Sequence, residues 1–223
     1  MLYNNDKQLD TQKTSPPRGL LITFEGIDGS GKSTLAALTA AWLREQGLSV
    51  LSLREPGGTA IGESIRTILL AKANTAMCME TELMLFAAAR AQLIREVILP
   101  ALAAGTWVIC DRFYDSTFAY QGYGRGIDLD HISHLMAIAT GGLKPDKTFL
   151  LDVSLAVAEQ RLSGRPGKAD RLDQEDAAFM ARTRDGYHQI LAAEPERLVA
   201  IDADPPEPIV LDQIIQIIKG ELP

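Results

Sequence analysis

The chain has 223 residues, 46% hydrophobic and 23% charged, with 22 Lys and Arg against 29 Asp and Glu, so its net charge is −7. That length predicts one domain with a sizeable core, and the composition excludes collagen-like, coiled-coil and disordered chains. The acidity argues against a duplex-DNA or RNA binder, which needs a cationic surface to replace condensed counterions, but leaves room for a local basic pocket.

Residues 1–18 are polar and aperiodic, which predicts a disordered leader; MLYNNDKQLD lacks the apolar core of a signal peptide. The domain is expected over 19–223. Short apolar runs predict strands at Leu20–Phe24, Leu48–Leu53, Thr106–Cys110, Thr148–Val153 and Leu198–Ile201. Helical spacing between them predicts helices over Ser33–Gln46, Ile61–Leu70, Glu80–Leu102, Asp130–Thr140, Leu155–Leu162, Glu175–Ala192 and Glu207–Lys219. Continuous rather than alternating apolar runs suit strands covered on both faces. Five such strands separated by helices predict an α/β fold with a parallel sheet, and ligands sit beyond the carboxyl ends of its strands.

Cys78 and Cys110 fall in no CxxC or Cys/His spacing, which predicts neither a disulfide framework nor zinc. The longest uncharged stretch, Val97–Cys110, has 14 residues and contains Pro100. A membrane span needs about 18 or more. The expectation is a cytoplasmic protein with no membrane or nucleic-acid partner.

After the first strand stands Gly26-Ile27-Asp28-Gly29-Ser30-Gly31-Lys32-Ser33-Thr34, a G-x-x-x-x-G-K-[ST] phosphate loop between strand and helix. Glycines there turn backbone N–H groups toward phosphate oxygens, and the helix that follows aims its positive dipole end at the same point. Lys32 suits the β- and γ-phosphates of ATP, and the Ser33 hydroxyl suits Mg²⁺. Asp28 puts a negative charge inside an anion-binding loop. It serves either a second ligand, through a sugar hydroxyl or metal-bound water, or its own backbone turn.

The second strand ends in Arg54-Glu55-Pro56-Gly57-Gly58-Thr59, where Arg54 is either an anion contact or half of a surface ion pair. The third ends in Asp111-Arg112, read as an acid beside Mg²⁺ and a two-pronged phosphate ligand, or as a structural pair. Ser116, Thr117, Tyr120 and Gln121 follow, a composition suited to holding a base and a sugar or to a glycine-rich surface loop packed by its aromatics. Phe86 and Arg90, four residues apart, share one helix face and suit base stacking and base or phosphate bonding; otherwise they are core and solvated surface. Residues Arg161–Arg171 hold four cations and one acid among Gly164, Pro166 and Gly167, which predicts a flexible lid over about 162–174 or a solvated charged loop. His131, His134 and His188 suggest no acid–base constellation.

Taken together, FEGIDGSGKST, REPGGT, LMLFAAAR, DRFYDSTFAYQG and DRLDQED, in this order, resemble the bacterial thymidylate kinases from about Leu20 to the C-terminus. The resemblance implies a P-loop kinase fold, a five-stranded parallel sheet flanked by helices, usually in a homodimer. It implies phosphoryl transfer from ATP to dTMP with Mg²⁺. By position, Phe86 matches the aromatic that stacks on thymine, Arg90 the arginine on the base, Arg112 the arginine on the acceptor phosphate and Asp111 the acid near the metal. Asp28 matches the carboxylate near the acceptor sugar, and Tyr120 the tyrosine that crowds the 2′ position. Thr117 and Gln121 fall in the base-binding segment. Some relatives carry an arginine inside the phosphate loop; Gly29 stands there in this chain, so the resemblance moves the catalytic cation to Arg165 or Arg171 of the lid. Another nucleoside-monophosphate kinase is the competing enzyme reading. A GTPase switch is disfavoured because no N-K-x-D sequence is present.

Overall fold

The computed structural model describes residues 18–163, 171 and 176–222. Strands β1 (Leu21–Glu25), β2 (Val50–Arg54), β3 (Trp107–Asp111), β4 (Lys147–Asp152) and β5 (Leu198–Asp202) form a parallel sheet in the order β2-β3-β1-β4-β5. The connecting helices are α1 (Lys32–Glu45), α2 (Ala60–Leu70), α3 (Met79–Leu93), α4 (Leu99–Ala103), α5 (Tyr114–Thr117), α6 (Leu129–Thr140), α7 (Leu155–Ser163), α8 (Ala177–Ala193) and α9 (Glu207–Ile218). This is the expected P-loop kinase architecture, a five-stranded parallel sheet flanked by helices.

Each face of the sheet has its own core. Ile22, Phe24 and Phe149 pack with Leu35 and Leu43 of α1 and Ile214 of α9. Leu21, Val108 and Cys110 pack with Leu83 of α3 and Met136 of α6. Burying each large apolar side chain contributes about 1.5–3 kcal/mol. β1, between β3 and β4, is wholly buried, and Thr23 bonds Thr148 across the ladder at 2.7 Å, so its polar side chain is satisfied there. The register pairs Phe24 with Asp111 and Glu25 with Leu150. Consequently the segments that leave β1 and β3 emerge side by side, and the candidate site grows from that point.

Three elements depart from the sequence expectation. β2 is one of the two sheet edges and only partly covered, because Ser52 and Arg54 alternate outward rather than joining a doubly buried run. The single helix expected over Glu80–Leu102 changes to a π-helical turn at Ile94–Ile98 before α4. Pro100 accounts for the change: it offers no N–H to the preceding turn, and its ring crowds the carbonyl four residues back. Finally, Ser116–Gly126 is not a surface loop. It runs through α5 and a π-helical segment, Phe118–Gly124, in which Ala119, Tyr120, Gln121, Gly122 and Gly124 are buried. Gly124 serves close packing, since a Cβ there would lie 2.8 Å from both Phe179 and Thr183 of α8.

Candidate active site

The loop after β1 needs its glycines. Gly26, Gly29 and Gly31 have φ of 136°, 84° and 92°, a region costly to residues with a Cβ. A Cβ at Gly29 would also meet the Ala158 carbonyl oxygen at 2.6 Å. Lys32 reaches back over the loop and donates to Ile27 O at 2.7 Å and Ser30 Oγ at 3.3 Å. Burial, then the charge of Arg112, lowers its ammonium to about 8 against the pull of Asp28, Asp111 and Glu25. From the first turn of α1, Ser33 donates to Asp111 Oδ2 at 2.5 Å. The other oxygen of that carboxylate, Oδ1, is buried without a partner among the described residues.

Arg112 follows β3 with φ 71°, a left-handed conformation unusual for a side-chain-bearing residue. Its Nη2 donates to Asp28 Oδ1 at 2.5 Å and to Tyr120 Oη at 3.0 Å, and its Nη1 to Gly26 O and Ser116 Oγ, each at 3.2 Å. The guanidinium also lies over the Tyr120 ring, 4.8 Å from its centroid. Tyr120 Oη donates to Asp28 Oδ2 at 3.0 Å. Burial would raise the Asp28 carboxyl, but Arg112, Lys32 and Tyr120 bring it down to about 2. The loop's carboxylate thus faces Arg112 and Tyr120.

Arg90 is 2% exposed and fully engaged rather than solvated. It donates to Glu55 Oε2 at 2.7 Å, Thr117 Oγ1 at 2.8 Å, Met136 Sδ at 3.0 Å and Phe113 O at 3.1 Å. Phe86, one helical turn earlier on α3, is half-buried at the cavity wall. Arg54 pairs with Glu63 at 3.1 Å and is half exposed.

A cavity of about 770 Å³ collects these groups. Asp28, Gly29, Ser30, Gly31, Lys32, Ser33 and Thr34 line it, together with Arg54, Phe86, Arg90, Asp111, Arg112, Ser116, Thr117, Tyr120 and Gln121. Gly26 and Ile27 lie beneath the lining and present their carbonyls to Arg112 and Lys32. Arg171 lies away from the lining, bonded to Glu82 and to the Leu69 carbonyl. Arg165 and most of the expected lid fall outside the described residues. His131 and His134 are exposed on α6, and His188 meets Asp152 at 3.3 Å.

Comparison with known proteins identifies the family. The thymidylate kinase family model matches residues 24–214. The chain belongs to the thymidylate kinase family. It is 51% identical over 189 residues to the thymidylate kinase of Trichlorobacter lovleyi, covering 82% of this chain and 89% of that one. It is 45% identical over 213 residues to that of Chlorobium chlorochromatii, covering 91% and 96%, and 46% identical over 198 residues to that of Bordetella pertussis, covering 89% and 93%. Family membership makes the chain a P-loop kinase, with ATP as phosphoryl donor.

Sequence reasoning missed several carboxylates that hold the site in shape. Glu25, fully buried at the end of β1, accepts from Phe113 N at 2.7 Å, Ser116 Oγ at 2.5 Å and Tyr187 Oη at 2.8 Å. Burial and the neighbouring Asp115 raise its carboxyl. The available signal was an acid between Phe24 and Gly26, where an apolar run meets the phosphate loop. Glu55 and Glu82 stood in plain view, but only the fold brings them to Arg90 and Gln121.

Proposed function

We propose that this chain transfers the γ-phosphoryl group of ATP to dTMP, giving dTDP and ADP, in the synthesis of dTTP. The observation that carries the reading is the convergence of Lys32 and Arg112 on one cavity. Lys32 comes from a triphosphate-binding loop, while Arg112 stands beside Asp28 and Tyr120 near a half-buried aromatic, Phe86. The acceptor phosphate has a second pKa of about 6 and is mostly dianionic near neutral pH, so it needs no general base. The remaining barrier is the approach of two anions, which fixed cations lower by neutralisation and alignment.

Ser33 and Asp111 suit Mg²⁺. The two oxygens are already adjacent, and the second oxygen of Asp111 has no bond of its own among the described residues. Among those residues no group of three or more His, Cys, Asp or Glu forms a cage, in keeping with an ion that takes its other ligands from phosphate and water. When bound, Mg²⁺ supplies charge neutralisation at the phosphate oxygens. Arg165 and Arg171 are the proposed lid cations. A homodimer is supported by adjacent α2, α3 and α6, which leave Ile61, Ile68, Met84 and Ile138 exposed; sedimentation tests it. No helix among the described residues is long and apolar enough to cross a membrane.

The test is ADP release with ATP and a panel of nucleoside monophosphates. Turnover highest with dTMP is expected; a clear preference for a purine monophosphate refutes the assignment. Some activity on dUMP is compatible with it, because one methyl in an apolar pocket discriminates by only about 1–3 kcal/mol.

A further inference from the structure

Glu82 projects from α3 and is 1% exposed. It accepts from Gln121 Nε2 at 2.8 Å, from Arg125 Nε at 2.6 Å and Nη2 at 3.0 Å, and from Arg171 Nη2 at 2.5 Å. Burial opposes its charge, but the hydrogen bonds from Arg125, Gln121 and Arg171 outweigh burial and keep the carboxyl below its usual range. An ionised carboxylate only accepts hydrogen bonds. The Gln121 amide therefore has one favourable orientation, NH₂ toward Glu82 and carbonyl away from it.

Gln121 lines the nucleotide cavity, and so does Thr117, four residues earlier on the same helical stretch. Thr117 Oγ1 receives a hydrogen from Arg90 at 2.8 Å, which leaves its own hydrogen for a ligand. The site thus offers a carbonyl acceptor and a hydroxyl donor together. Thymine carries an N3–H beside a carbonyl, which matches that pair. Cytosine carries a bare N3, so it would meet the Gln121 carbonyl acceptor against acceptor, whereas the Thr117 hydroxyl, with a second lone pair, tolerates either base.

We propose that Glu82 fixes the polarity of Gln121 and so makes the base site select a pyrimidine with a protonated N3. The inference rests on the dTMP reading given above. Glu82 does not line the cavity; it is a positioning residue, acting through the amide it orients. Its bonds to Arg125 and to Arg171, the latter a proposed lid cation, act alike on every substrate base. Only its bond to Gln121 carries a preference between bases.

The experiment measures kcat and KM for dTMP and dCMP with the full-length protein and its Glu82→Gln variant, and tests 3-methyl-dTMP on the unsubstituted protein. The unsubstituted protein is expected to favour dTMP over dCMP by about a hundredfold or more in kcat/KM and to reject 3-methyl-dTMP similarly, because an unmatched buried polar group is strongly disfavoured. In Glu82→Gln the amide at 82 can face Gln121 with either end, and the dTMP:dCMP ratio should fall at least about tenfold. A ratio within about twofold of the original, or ready use of 3-methyl-dTMP, overturns the inference. Loss of fold support alone lowers both substrates together and leaves the ratio, so it also counts against the inference. If Glu82→Gln does not fold, Glu82→Met, which keeps the side-chain length and removes the acceptor, reads the same dTMP:dCMP ratio; a fall of at least about tenfold is again expected, and a ratio within about twofold of the original overturns the inference. An unsubstituted protein that fails to phosphorylate dTMP refutes the functional reading instead, which keeps the two failures apart.

Discussion

Replacing Arg112 by alanine removes a guanidinium that meets Asp28 at 2.5 Å, Tyr120 Oη at 3.0 Å and the Gly26 carbonyl at 3.2 Å. Asp28 is held at about 2 instead of 3.8, a difference worth about 2 kcal/mol. Lys32 and Tyr120 share in it, so Arg112 contributes roughly 1–2 kcal/mol. Because the folded carboxyl is depressed, this stability is present above the unfolded value and is lost as pH falls toward the folded one. The stability gap between the two proteins should therefore narrow from about pH 5 toward pH 3. Opposing this loss is the backbone: φ of 71° at residue 112 costs any residue with a Cβ about 1–2 kcal/mol. Arg112→Gly should accordingly be about 1 kcal/mol more stable than Arg112→Ala, although both lack the same charge. Turnover should not follow stability. Both variants should lose about a hundredfold or more in kcat with ATP and dTMP saturating, the scale set by removing one electrostatic donor. The assays are coupled ADP release and urea unfolding across that pH range. Turnover within about tenfold of the unsubstituted protein in two folded variants would refute the role given to Arg112.

Lys32→Ala should likewise lose about a hundredfold in turnover. Since the Lys32 ammonium is charged below about 8 and neutral above it, kcat/KM for ATP should fall as pH rises through that value; a flat profile contradicts the assignment. Glu55→Ala leaves the buried guanidinium of Arg90 without its anion and should destabilise the fold by about 3–5 kcal/mol. A loss below about 1 kcal/mol in a urea titration would mean that Arg90 finds another partner. Chelation of divalent ions should stop turnover while leaving dTMP affinity, measured by calorimetry, within about twofold. Undiminished turnover in chelator removes Ser33 and Asp111 from a metal role.

The sheet was legible because each buried strand is a run of apolar residues bounded by glycine or charge, and the phosphate loop because its spacing is dictated by anion geometry. Harder to read was Phe118–Gly124. Its glycines resemble loop punctuation, yet they allow close packing, Gly122 against Leu129 and Ile132 of α6 and Gly124 against Phe179 and Thr183 of α8, which lie more than fifty positions from it. Arg90 shows a similar limit. Periodicity placed it one turn from Phe86, but whether it meets solvent or an anion depends on Glu55 at the end of another strand. Carboxylates such as Glu25 and Glu82 stayed hidden because a buried acid differs from a surface acid only through partners distant in the chain.

The pairing of Phe24 with Asp111 has a mechanical consequence. Arg112 directly follows β3, and Lys32 begins α1 at the far end of the phosphate loop, tied back to that loop through the Ile27 carbonyl, so both are anchored to adjacent strands. Their separation inherits the stiffness of the sheet and owes nothing to a joint between moving bodies. Whatever travels during a catalytic cycle travels around a seat of fixed width, and each incoming ligand must fit a gap that is already set.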